Sequence, residues 1–110
     1  MRYIYLINKE HTDDYKIGIS NKPEKRLKTL QTGNSKKLII IDKFLSSFAT
    51  KIETHLHHQF YKTQKVGEWF TLNDNDVKGF KTTCEQLEES FKFLLKENCF
   101  FQKDINKLKY

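Results

Sequence analysis

The chain opens on Tyr3-Ile4-Tyr5-Leu6-Ile7, an aromatic and β-branched run that predicts a strand, and after the polar stretch Asn8–Asp14 a period-two pattern resumes over Tyr15-Lys16-Ile17-Gly18-Ile19. Together they predict a β-hairpin with a loop of roughly seven residues, longer than the usual two to five. Pro23 and Glu24 in a first turn, capped by Ser20 or Asn21, predict a short helix whose amphipathic face begins at Arg26, Leu27 and Leu30 and which stops at Thr32-Gly33-Asn34-Ser35. Leu38-Ile39-Ile40-Ile41, flanked by Lys36-Lys37 and Asp42-Lys43, predicts a third strand buried on both faces.

Ser46 or Ser47 is expected to open a second helix, Phe48 to Tyr61, in which Phe48, Ile52, Leu56 and Phe60 form an apolar seam that should lie on the sheet. Gly67 then breaks the chain, and Glu68-Trp69-Phe70-Thr71-Leu72 reads as a short extended segment. Asn73-Asp74-Asn75-Asp76 is a strong start for a third helix running to about Asn98, because these side chains accept bonds from the first amides and their charge suits the positive end of the helix. Its stripe Phe80, Cys84, Leu87, Phe91 and Leu94 has coiled-coil spacing but is short, which favours packing within the chain over a weak homodimer through this helix. Phe100-Phe101 and the Lys103–Tyr110 tail show no period.

These elements predict an α/β (α+β) fold: a three-stranded antiparallel sheet, extendable by the Glu68–Leu72 segment, flanked by helices and followed by a C-terminal helix. Residues 1–72 would form the core, and 73–110 a helical extension packed on the same domain. A length of 110 residues with 37% hydrophobic content supports one modest core. The formal charge of +6 fits a polyanionic partner, although scattered lysines serve solubility equally well. Cys84 and Cys99 lack metal-knuckle spacing and are expected to stay reduced. With neither a signal-peptide pattern nor an apolar run long enough for a bilayer, the expected setting is intracellular and soluble, cytoplasmic with the nucleus left open, and no membrane partner.

Several positions have chemistry to offer. Arg26 is one of only two arginines, with Arg2, and its planar fork suits phosphate oxygens, unless an ion pair to Glu24 or another helix carboxylate occupies it. Glu53 and His57 lie one helical turn apart on one face, whereas His55 and His58 point elsewhere, so His-x-His-His is a poor zinc cluster. Gly18 leaves room for a ring or a backbone above the sheet, or else marks a bulge.

Five pieces in order, Tyr3-Ile4-Tyr5, Tyr15-Lys16-Ile17-Gly18, Arg26, Glu53 with Leu56, His57 and Phe60, and Gly67-Glu68-Trp69-Phe70, resemble the small stand-alone branch of the GIY-YIG nuclease family. The resemblance covers residues 3 to 72 and implies a divalent-metal-dependent endonuclease acting on DNA, with RNA or branched DNA left open. It implies Tyr5 as activator of the attacking water, Arg26 as phosphate ligand, and Glu53 as holder of a single Mg2+ or Mn2+ ion. His57 would orient Glu53, contact phosphate or donate a proton. Lys16 stands where that family has its second tyrosine, and on the catalytic face its ammonium would lower the pKa of Tyr5 or hold a phosphate oxygen. Gly18, Lys22, Lys25 and Trp69 are expected to contact nucleic acid, although the simplest account of Trp69 and Glu68 is structural. The alternative function is a catalytically inactive nucleic-acid-binding module of the same fold.

Overall fold

The computed structural model describes residues 1–97, so Cys99, Phe100-Phe101 and the Lys103–Tyr110 tail lie outside the described residues. Strands β1 (Arg2–Lys9) and β2 (Asp14–Ser20) form the hairpin, followed by α1 (Pro23–Gln31), β3 (Leu38–Ser46), α2 (Ala49–Gln59), a 3-10 turn at Tyr61–Thr63, β4 (Trp69–Thr71), α3 (Asp74–Lys78) and α4 (Phe80–Glu97). The strands make one antiparallel sheet in the order β3-β1-β2-β4, so the Trp69–Thr71 segment adds a fourth strand to the expected three. Each β1 side chain alternates between two covered faces, which is why four consecutive residues, Ile4 to Ile7, are buried. Ile4 and Leu6 join Ile17, Ile52, Leu56, Phe70, Phe80 and Cys84 in the larger core, whereas Tyr5 and Ile7 pack with Leu38 and, partly buried, Leu27, Leu30 and Trp69.

Four expectations need correction. Both strands of the hairpin run further than their apolar cores, because polar Asn8, Lys9 and Asp14 still pair, and the loop is accordingly shorter. Neither serine caps its helix: the N-cap positions are Lys22 for α1 and Phe48 for α2, neither with a side-chain cap, while Ser20 Oγ and Ser46 Oγ accept from the amides of Lys22 and Phe48 just ahead of those helices. β3 is an edge strand, not one buried on both faces; its register slips between Leu6 and Ile7, leaving Ile41 as the unpaired, exposed residue of a bulge. The third helix is two. Asn73 accepts from the Asp76 amide at the expected helix start, and Asp76 returns a bond to close a capping box, but only for the short α3, which ends at Gly79 before α4 begins.

The α4 stripe packs within the chain. Phe80 and Cys84 are buried, Leu87 and Phe91 lie against the core, and Phe91 stacks on Phe48 with ring centroids 5.9 Å apart. Burial pushes the Cys84 thiol up to about 12, so it is an inert apolar filler. Among the described residues, no helix is long and apolar enough to cross a membrane.

Candidate active site

Directly opposed residues of an antiparallel pair share a face. The β1–β2 register sets Tyr5 against Gly18 and Ile7 against Lys16, and the β2–β4 register sets Lys16 against Trp69. Lys16 therefore shares the face of Tyr5. The phenol lies flat across Gly18: a Cβ there would meet Tyr5 Cζ at 2.6 Å, closer than any side chain tolerates, so the glycine is what lets the ring cross β2. Across that strand the Tyr5 hydroxyl bonds Arg26 and lies within electrostatic reach of Glu68 and Glu53.

Ile17 fixes the other half of the site. Its amide donates to the Glu68 carbonyl oxygen at 3.1 Å, and its carbonyl oxygen accepts from His57 Nε2–H at 2.8 Å. One backbone unit at the end of the β2–β4 pairing thus locates the residue before β4 and the last turn of α2. Glu53, one turn earlier on α2, completes a group in which one ligand atom from each of Glu53, His57 and Glu68 lies within 4.8 Å of the others. Glu53 Oε2 is buried and has no hydrogen-bond partner among the described residues, and Glu68 Oε1 pairs with Lys16 Nζ at 3.0 Å. Two carboxylates and an imidazole, one of the carboxylate oxygens buried without a donor among the described residues, form a donor set suited to a divalent cation.

Charge follows this crowding. Burial, then the negative charge of Glu68, raises the Glu53 pKa against the opposing pull of His57. Burial also raises the Tyr5 pKa, and the Arg26 bond only partly offsets it, so Tyr5 rests as a neutral phenol. The expectation that Lys16 lowers the pKa of Tyr5 is corrected accordingly: the cation on the phenol is Arg26, and the nearly buried Lys16 is held by Glu68 instead.

The structure brings together Tyr5, Gly18, Lys16, Arg26, Glu53 and His57. Arg26 is free of Glu24, which pairs with Lys43 at 2.6 Å. Lys22, Lys25 and Arg26 line an open depression with Ser20, Asn21 and Thr29. Trp69 is not an open stacking platform: its ring packs in the smaller core and carries Lys9 Nζ 4.5 Å from its centroid. Glu68, read from sequence as structural, is the residue that reasoning missed. Its signal was a carboxylate fixed beside Trp69 and Phe70 just after Gly67, but only the long-range anchor on Ile17 turns it toward Glu53.

A comparison with known families matches residues 2–94 to the T5orf172 domain. No GIY-YIG family matches, and this overturns the resemblance read from the motifs. Those motifs are a handful of short pieces, whereas the family match spans nearly the whole described chain. No curated protein and no solved structure matches the chain significantly.

Proposed function

This chain belongs to the T5orf172 domain family, whose members are often nuclease-like or DNA-binding domains, and from that membership together with the site we propose that it is a divalent-metal-dependent endonuclease hydrolysing DNA phosphodiester bonds. One observation carries the reading: a guanidinium–phenol pair and a Glu-His-Glu group meet at the same stretch of β2 around Ile17 and Gly18.

Hydrolysis forms a bond from a water oxygen to phosphorus and breaks the bond from phosphorus to a sugar oxygen. Arg26 presents its fork to the non-bridging oxygens and opposes the charge that builds on them. Tyr5, neutral at rest, takes a proton from the attacking water as it hands its own to a phosphate oxygen, so no buried phenolate is needed. Lys22 and Lys25 hold the neighbouring backbone phosphates without reading sequence. Glu53, His57 and Glu68 would hold Mg2+ or Mn2+, which when bound supplies Lewis-acid relief of charge on the departing oxygen. Lys16 keeps Glu68 in place for that purpose.

Supercoiled plasmid incubated with the protein tests the reading. Nicked circles are expected with Mg2+ or Mn2+ and none with a chelator. Retarded but intact plasmid under every metal condition would overturn the hydrolase and leave a nucleic-acid-binding module.

A further inference from the structure

We infer that Glu53, His57 and Glu68 together form a site selective for a transition-series divalent ion such as Mn2+ or Zn2+ over Mg2+, with Lys16 as the positioning residue for Glu68. The inference rests on the proposed metal dependence and specifies the ion. Mg2+ takes oxygen ligands and gives up its waters reluctantly, whereas imidazole favours Mn2+ and the later divalent ions.

His57 is prepared for that role. Its Nε2–H is spent on the Ile17 carbonyl oxygen at 2.8 Å, which fixes the tautomer and leaves Nδ1 with the lone pair. A ring nitrogen donating to a backbone carbonyl is the usual support of a metal-bound histidine. The carboxylates are held in part: Glu68 gives Oε1 to Lys16 at 3.0 Å, and Glu53 Oε2 is buried with no hydrogen-bond partner among the described residues. Ligands of one ion at about 2.0–2.2 Å stand roughly 3–3.5 Å apart, so ligand atoms that lie within 4.8 Å of one another need close by no more than about 1.8 Å. Glu68 can supply that motion, because its side chain is 38% exposed while Lys16, at 9%, holds one end.

The arrangement also explains Lys16. A nearly buried ammonium next to a metal site repels the ion, a cost that orienting a ligand offsets, and this one bridges Trp69 and Glu68, with Nζ 5.8 Å from the indole centroid. Its work is done through Glu68.

Calorimetric titration of the full chain with Mn2+, Zn2+ and Mg2+ tests the inference, with Mn2+ electron paramagnetic resonance as a second readout and circular dichroism to verify folding. The wild type is expected to bind Mn2+ at least about tenfold more tightly than Mg2+. His57→Gln should erase that preference while both ions still bind weakly. Lys16→Met should weaken both ions alike, by about 10- to 100-fold, and leave the preference intact. Equal affinity for Mn2+ and Mg2+ in the wild type, an unchanged ratio in folded His57→Gln, or no binding of any ion would overturn it. Plasmid nicking without a binding preference would sink this inference alone, and selective binding by a protein that nicks nothing would sink only the hydrolase reading.

Discussion

Glu53→Gln is expected to cut metal-dependent plasmid nicking by about a thousandfold, equivalent to roughly 4 kcal/mol of transition-state stabilisation. The replacement keeps the shape of the side chain and removes the charge that would hold a cation beside the phosphodiester. Stability should move the other way. Burial and the neighbouring Glu68 raise the folded-state pKa of Glu53, so ionising it works against the fold. Its carboxyl is favourable to folding in acid, where it is protonated, and that contribution fades as pH rises through the ordinary carboxylate range toward the raised value. At neutral pH the neutral amide should therefore leave thermal stability equal or higher. Activity lost with stability kept would mark a residue retained for chemistry. A thermal melt paired with the nicking assay measures both, and a variant that nicks at the wild-type rate would remove Glu53 from the mechanism.

Gly18→Ala is expected to damage fold and site together. The added methyl would lie 2.6 Å from Tyr5 Cζ and 3.0 Å from Cε1. Tyr5 is 1% exposed and hemmed in by Ile7, Leu38, Leu27 and Leu30, so its ring has nowhere to retreat. Overpacking of this kind costs about 1–3 kcal/mol. Moving the hydroxyl by about 1 Å also breaks its bond to Arg26, and nicking should fall about a hundredfold. Chemical denaturation reads the first effect and the plasmid assay the second. Adding Tyr5→Phe removes the atom nearest the new methyl, so the double variant should regain part of the stability and none of the activity. Wild-type stability in Gly18→Ala would show that the close approach of ring and strand is not a constraint.

Local features were legible from the chain because they depend on neighbours in sequence. Period two marked β1 and β2 as strands, period four along Phe48, Ile52, Leu56 and Phe60 placed the α2 seam on the core, and the Asn73–Asp76 run marked a helix start, whereas the pairing of Tyr5 with Gly18 depends on a hairpin loop shorter than the chain suggested. Glu53 and His57 shared a face for the same reason. Sheet order was not legible, since Leu38–Ile41 reads as an interior strand and becomes an edge only because β1, not β3, takes the centre. Nor was the partner of Lys16. Its side chain reaches Glu68, on a segment that arrives through β4 pairing, and Ile17 anchors Glu68 and His57 by one amide and one carbonyl, groups that every residue has. Motif likeness also misled on family, because a handful of positions shared with GIY-YIG nucleases weigh less than a match over residues 2–94 to the T5orf172 domain.

A crystal structure with Mn2+ and an oligonucleotide carrying phosphorothioate linkages in place of its phosphodiesters tests the shared site most directly. Anomalous scattering should place the ion among Glu53, His57 and Glu68, with one phosphorothioate group reaching both the ion and Arg26 and the Tyr5 hydroxyl beside it. An oligonucleotide held on Lys22 and Lys25 with its nearest phosphorus beyond reach of Arg26 and Tyr5, or an ion bound elsewhere, would contradict the account.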